Sequence, residues 1–418
     1  MTHPLLALPA AVHRGIAQGI TSVCSAHPVV IEAALLLARD GGRPALIEAT
    51  CNQVNQSGGY TGMTPAHFRA FVEGIAAKVG VDPGGIILGG DHLGPNPWTH
   101  LPAEAAMENA EAMVAAYAAA GFTKLHLDTS MGCAGEPPAI GDERTAARAA
   151  RLAAAAEAHG TRPVYVIGTE VPVPGGAAEA LDHLALTTAA AAARTVAVHE
   201  SAFMDAGLGD AFSRVIAMVV QPGVEFGHTD IVHYDPAAAQ GLSAALRQHP
   251  GLVFEAHSTD YQREEGLAAL VRDGFAILKV GPWLTFALRE ALYGLDAAAD
   301  VLDGHPPSGR LMAAMDDAMQ DNPDQWQRYY TGSAQEVFLQ RHFSLSDRIR
   351  YVWPSQKASA AVEGLMARLG DRMIPAPLLS QYLSPSLAAM GECCAHTALL
   401  RAVTAVLERY DRAITPAR

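Results

Sequence analysis

Asp91 and His92 stand side by side after the apolar run Ile86-Ile87-Leu88 and the pair Gly89-Gly90. A carboxylate can carry a proton, and an imidazole beside it can ligate a metal or polarise a carbonyl. The two glycines admit close approach of a ligand or another backbone. Gly94, Pro95 and Pro97 set a non-helical exit. Chemically able residues recur at the ends of other apolar runs: Ser25, Glu48 with Asn52, Asp128, Glu170, Glu255 with His257, and Lys279, with His228 in the loop after another run. At a two-residue period Glu255 and His257 share a face, as do His126 and Asp128, and Glu48, Thr50 and Asn52. Crowded carboxylates around a lysine acquire shifted pKa values and suit proton transfer.

Asp91, Glu170, Asp128 and Lys279 are read as the catalytic group, and Ser25, Glu48, Asn52 and Glu255 as substrate contacts. His92, His257 and His228 come from separate runs; three such donors with an open position make a catalytic divalent site, zinc for instance. Lys279 has two further readings, a Schiff base or a contact to a substrate oxygen or phosphate. Asp128 reads equally as an acid/base group or a loop cap. His126 lies inside its run and reads as a satisfied core histidine.

Such residues act together only if one fold gathers the run ends. Eight strand-like runs occur, at 19–25, 45–50, 86–88, 124–130, 164–170, 215–220, 252–257 and 275–281. Ala-rich amphipathic stretches follow all but the last. One is Pro28 to Arg39, stopped by Gly41-Gly42; another opens at Thr64-Pro65, an N-cap followed by proline. Helices are also expected at 103–120, 177–191 and 200–207. The pattern is α/β and predicts a (β/α)8 TIM barrel, whose catalytic groups sit at the C-terminal strand ends. Near-continuous apolar runs suit parallel strands buried on both faces. A doubly wound open sheet shares the alternation, but no G-x-G-x-x-G follows the first run and polar residues gather at every run end. The barrel is assigned to residues 1–283. Residues 284–418 are assigned to a helical extension packed on it, with helices at 335–341, 356–369 and 384–410.

The chain has 418 residues, half of them hydrophobic, and a formal net charge of −14. That charge offers no basic footprint for nucleic acid, whereas a phosphorylated small molecule needs only a local pocket. Five cysteines, none in a CxxC, predict a reduced cytoplasmic protein. Neither a secretory leader nor a membrane-spanning run is read. A homo-oligomer is expected. Two weaker anion features remain. The loop from Ser57 to Gly62 could cradle a phosphate with backbone N–H groups. Ser344, Ser346, Arg348 and Arg350 near Trp353 read first as a solvated or intersubunit face.

Longer motifs carry a resemblance. Ile47-Glu48-Ala49-Thr50 through Asn52-Gln53-Val54-Asn55-Gln56 and Gly58-Gly59-Tyr60-Thr61-Gly62-Met63 resemble the GatZ/KbaZ family. So do the stretch from Gly89 to Trp98, Glu255-Ala256-His257-Ser258-Thr259-Asp260-Tyr261-Gln262, Leu278-Lys279-Val280-Gly281-Pro282 and Ser346-Asp347-Arg348-Ile349-Arg350-Tyr351. The resemblance implies a barrel related to class II, metal-dependent ketose-bisphosphate aldolases. It implies one of two roles: a chaperone-like subunit partnering the catalytic chain of tagatose-1,6-bisphosphate aldolase, or a 4-epimerase interconverting tagatose 6-phosphate and fructose 6-phosphate. Asp91 and His92 match an Asp-His pair in which the Asp moves a proton and the His ligates the metal. The Gly/Ser-rich phosphate loop of those aldolases is not evident, because Ser258-Thr259-Asp260-Tyr261 follow His257.

Chemistry separates the roles. Carbon 4 of a 2-ketose is not adjacent to the carbonyl, so inversion there needs transient oxidation or cleavage and re-formation of the C3–C4 bond. Oxidation wants a nicotinamide, and no dinucleotide fingerprint is seen. The retro-aldol route needs a metal and proton carriers on both sides. A subunit without catalysis needs none of these, and unmatched charges at a barrel mouth are costly. The sequence therefore favours the epimerase over the accessory subunit. An epimerase of an unphosphorylated ketose is the third reading.

Overall fold

The computed structural model describes residues 3–168 and 184–415. Eight parallel strands close a barrel: β1 (Ile20–Cys24), β2 (Ala45–Thr50), β3 (Ile86–Leu93), β4 (Lys124–Leu127), β5 (Val164–Ile167), β6 (Val215–Val219), β7 (Val253–Ala256) and β8 (Phe275–Val280). Each strand pairs with its sequence neighbours and β8 pairs with β1, which excludes the open sheet. Alternate side chains point inward. At the bottom Ile20, Leu46, Ile87, Val164 and Val253 form an apolar layer, closed from below by Leu5 and Leu8 of the N-terminal helical turns. Two residues further up the inward positions turn polar: Ser22, Glu48, Lys124 and Glu255 are all fully buried.

The expected caps form. Thr64 accepts a hydrogen bond from the His67 N–H in front of the helix Pro65–Val79, and Ser384 does the same for Pro385–Ala389. The helix expected at 177–191 falls partly outside the described residues. From Ala189 the helix runs unbroken to Asp205, because no glycine or proline interrupts that stretch and Thr188 caps its start. A short hairpin, Glu225–Phe226 with Ile231–Val232, follows β6 and carries His228 at its turn. It went unread because each arm is only two residues long.

The helix expected at 384–410 is divided. Pro385–Ala389 ends near Gly391, a bridge pairs Cys393 with Ile374, and a new helix spans Ala395–Ile414. This last helix packs against Pro28–Asp40, Glu264–Arg272 and β1. It thereby takes the ring position between the seventh helix and the first, with Ile414 O accepting from Gly19 N at 3.0 Å. The helix directly after β8, Pro282–Leu302, packs outside it and carries the rest of the C-terminal helices. Among the described residues, no helix is long and apolar enough to cross a membrane.

Candidate active site

Asp91 and His92 lie inside β3, not in a loop after it. Gly90 is paired with Leu125 but Leu93 with Leu127, so β3 holds one residue more than β4 across that step. This is a bulge, which re-aims side chains next to a site. Adjacent strand residues ordinarily point to opposite faces. Here His92 adopts φ 49°, and its Nε2 comes within 3.8 Å of Asp91 Oδ2, so both members face the mouth. Glycine is needed on either side. A β-carbon on Gly89 would lie 2.6 Å from Glu48 Cγ, and one on Gly94 only 1.7 Å from the Asp128 carbonyl oxygen.

Three imidazoles converge above the bulge. The ring centroids of His92, His126 and His257 lie 4.8–5.2 Å from one another. Each ring has a nitrogen held by an oxygen of its own: His92 Nδ1 by Asp128 Oδ2 at 2.8 Å, His126 Nε2 by Gly168 O at 3.0 Å, His257 Nε2 by Glu255 Oε1 at 2.9 Å. His126 is therefore no mere core histidine. Its period-two relation to Asp128 and Lys124 was the signal that could have shown it.

Beneath the rings runs a buried ion network. Lys124 Nζ bridges Glu48 Oε1 at 2.6 Å and Glu255 Oε2 at 2.7 Å. Lys279 Nζ contacts Glu48 and lies 2.8 Å from Asp91 Oδ1. Burial opposes the Lys279 charge, but Asp91, Glu48 and Glu255 outweigh it and hold the ammonium well above the usual lysine range. The ion pairs with Asp91 and Glu48 favour the role of a fixed cation for Lys279 over that of a Schiff base. Burial would likewise raise Asp91, yet His92, Lys279 and His126 keep it well below the usual carboxylate range. Lys124, Lys279 and His257 do the same for Glu255.

Whether a metal ion suits these residues can be tested on their charges. Four buried carboxylates, Glu48, Asp91, Asp128 and Glu255, face only two ammonium groups, Lys124 and Lys279. His126 Nε2 donates to Gly168 O, and its Nδ1 lies 3.2 Å from His92 N and 3.0 Å from Asp91 Oδ1. The excess of carboxylates calls for added positive charge. Donor atoms of Asp91, His126, Glu255 and His257 lie within 4.8 Å of one another, as do those of His92, His126 and Asp128. Imidazole and carboxylate donors suit a borderline divalent cation, so the residues fit one.

A cavity of about 100 Å³ opens above this centre. Asp91, His92, His257, Lys279, Cys24 and Asn52 line it from the strand ends. Tyr60, Arg350 and Tyr351 close its side. The expected substrate contacts divide. Asn52 is exposed at the rim, but Glu48 and Glu255 are fully buried in the ion network, where they hold lysines rather than face the cavity. Ser25 Oγ accepts from His27 N and lines a neighbouring cavity. Asp128 touches His92 and Ser130 beneath the mouth and does not line it. His228 is not brought to the imidazole cluster. Its Nδ1 meets Ser344 Oγ at 2.9 Å and its ring packs on Tyr330, so it docks the C-terminal segment instead. Glu170 lies outside the described residues.

The Ser344-to-Arg350 stretch is not the solvated face expected. Ser344, Ser346 and Arg348 are buried, and Arg348 donates to Gln325 O at 3.0 Å. Only Arg350 of this group reaches the mouth cavity.

Comparison with known proteins agrees with this geometry. The family model for D-tagatose-1,6-bisphosphate aldolase subunit GatZ/KbaZ-like proteins matches residues 5–415. The chain belongs to this family. Proteins similar to it carry three kinds of name. A D-tagatose 6-phosphate 4-epimerase from Agrobacterium fabrum is 54% identical over 99% of both chains. The D-tagatose-1,6-bisphosphate aldolase subunit GatZ of Salmonella newport is 49% identical over 95% of this chain and 96% of its own. A crystal structure of a probable tagatose 6 phosphate kinase from Sinorhizobium meliloti superposes with a TM-score of 0.89 at 57% identity, covering 95% of this chain and all of that one.

Proposed function

We propose that this GatZ/KbaZ-like chain is a divalent-metal-dependent 4-epimerase interconverting tagatose 6-phosphate and fructose 6-phosphate by retro-aldol and aldol steps. One observation carries the reading: a carboxylate, Asp91, lines the mouth cavity beside three converging histidines, each pinned by its own oxygen partner. A purely scaffolding surface has no use for such a centre. Full-length similarity to a protein named for this epimerase supports it.

His92, His126 and His257 would hold the cation, for which we propose zinc. When bound there, the cation supplies positive charge to the C2 and C3 oxygens of a ketose. Asp91 accepts the proton of the C4 hydroxyl. The C3–C4 bond then breaks and its electron pair passes into the C2–C3 fragment, leaving an aldehyde at C4. The aldehyde turns, the bond re-forms on its other face, and a proton returns to the C4 oxygen. Glu170 is proposed as the residue that returns it. Lys279 holds Asp91 in place and keeps its charge from opposing the substrate's. Asp128 and Glu255 orient His92 and His257. Asn52 contacts substrate at the rim. We place the protein in the cytoplasm, in keeping with five unpaired cysteines.

The second reading, an accessory subunit of a class II tagatose-1,6-bisphosphate aldolase, is favoured by the GatZ name of relatives 49% identical. A coupled assay decides. Purified protein with zinc is expected to form fructose 6-phosphate from tagatose 6-phosphate. No turnover, with activation of an added aldolase chain, would establish the accessory role instead.

A further inference from the structure

The proposed substrates carry a phosphate on carbon 6, and two places where backbone amides could hold it are already filled from within. The first is the Gly-rich loop after β2. Ser57 N and Gly59 N donate to Asn55 Oδ1 at 2.9 and 3.1 Å, Tyr60 N to Asn52 O at 2.9 Å and Thr61 N to Gln53 O at 3.4 Å. Those amides face the loop's own oxygens. The second is the start of the helix after β8, where TIM barrels frequently bind phosphate. Here Gly281 N and Trp283 N donate to Asp260 Oδ1 at 3.1 and 2.8 Å. An anion arriving there meets a buried carboxylate.

The cations of the mouth cavity are Lys279 and Arg350. Lys279 is spent on Asp91, Glu48 and Glu255. Arg350 is not: among the described residues no carboxylate stands at ion-pair distance from it. Its Nη1 donates to the Ser346 and Asp347 carbonyl oxygens and its Nη2 to Tyr351 Oη at 3.0 Å. Neutral oxygens thus fix the guanidinium, and the carboxylates of Asp347 and Asp260 act on it only from beyond ion-pair distance. Tyr351 and Tyr60 stack edge to face beside it, centroids 4.9 Å apart, so the group is held rigidly against the cavity wall. A guanidinium presents forked donors to phosphate oxygens. Asn52 and Asn96 line the same cavity with neutral donors.

We propose that Arg350, delivered from the C-terminal segment to the cavity that the strand-end centre lines, is the seat of the substrate's monophosphate. This rests on the epimerase reading for the choice of ketose phosphate, but not for phosphate binding itself. The consequence is that the chain beyond β8 does more than cover the barrel: it supplies the residue that separates phosphorylated from free ketoses.

The test uses the full-length zinc-loaded protein and two variants. Arg350→Lys keeps stem and charge but loses the fork; Arg350→Gln loses the charge. Inorganic phosphate and fructose 6-phosphate are titrated by calorimetry, and tagatose 6-phosphate kinetics are followed in parallel. Affinity for both ligands is expected to fall about tenfold in Arg350→Lys and about a hundredfold in Arg350→Gln. KM should rise more than kcat falls, and the preference for phosphorylated over free tagatose should shrink. Wild-type phosphate affinity in a folded Arg350→Gln protein, or in Arg350→Lys if the former does not fold, overturns the seat. Phosphate binding that depends on Arg350 without any epimerisation upholds the seat and removes the function. Epimerisation with wild-type KM in the variants does the reverse.

Discussion

His92 Nδ1 donates to Asp128 Oδ2 at 2.8 Å, which turns Nε2 of the same ring toward Asp91, 3.8 Å away. A metal-ligating histidine is commonly oriented by a carboxylate in this way, and loss of that partner costs about 10–100-fold in metal affinity. Asp128→Asn should therefore bind zinc about 10–100-fold more weakly and regain activity at high zinc. Competition with a chelator measures the first and a zinc titration of the rate the second. An unchanged zinc affinity would show that Asp128 does not orient a ligand. Chelation of the wild-type protein should abolish turnover, and added zinc should restore it.

Asp91→Asn removes the proposed proton acceptor and leaves a side chain of the same shape. The rate should fall by about 10²–10⁴-fold, the range of general acid–base catalysis. The change also leaves Lys279 with Glu48 and Glu255 as its carboxylates, so the protein should stay folded. Circular dichroism and the epimerase assay together check this. Substantial activity in a folded Asp91→Asn protein would assign the proton to another group.

The barrel was legible because each strand is buried on both faces and so reads as an apolar run. Asp91, His92 and His257 were legible because they follow or end those runs. Lys124 and His126 were not: they sit within β4, where an apolar context suggests a satisfied core residue. Only the charges of Glu48 and Glu255, brought across the barrel, give Lys124 a purpose. His228 looked equivalent to the other histidines because sequence does not reveal the hairpin that carries it away from the mouth. Arg350 lies 71 residues beyond Lys279 in the chain, and no local pattern places it in the same cavity. The bulge in β3 is equally silent, since it depends on pairing with β4.

That cross-barrel contact makes Lys124 a stability residue. It is fully buried between two carboxylates, and Lys124→Met would strand both beside Lys279 alone. Breaking a buried charge pair by removing one partner costs about 3–5 kcal/mol. Urea unfolding should register a loss of that order. A double variant with Glu48→Gln should lose less than the sum of the two single changes, because it also removes one stranded charge. Strict additivity would mean the pair does not interact.

Asp260 contributes a pH dependence of definite sign. Burial, the dominant cause, raises its carboxyl to about 6 despite the donated Trp283 and Gly281 amides. Asp347, buried under the C-terminal segment, is raised to about 7, again by burial, against the pull of Arg289 and Thr285. A carboxyl raised on folding holds a proton that the unfolded chain releases near pH 4. Its contribution to stability must then fall as pH rises from about 4 to the folded value, and stay lower above it. Asp260 alone would account for at most about 3 kcal/mol. Asp91 and Glu255, held low, act in the opposite sense, but only as pH drops below the ordinary carboxylate range. Burial lowers the imidazoles of His3 and His27 to about 4, and these raise stability with pH up to about 6.5, so each carboxyl is read from the difference between variant and wild type. Asp260→Asn keeps an oxygen to accept from Gly281 N and Trp283 N, and its urea midpoint should gain on that of the wild type as pH rises to about 6. Asp347→Asn should gain up to about pH 7. A difference between variant and wild type that does not change with pH would show that neither carboxyl carries the buried proton.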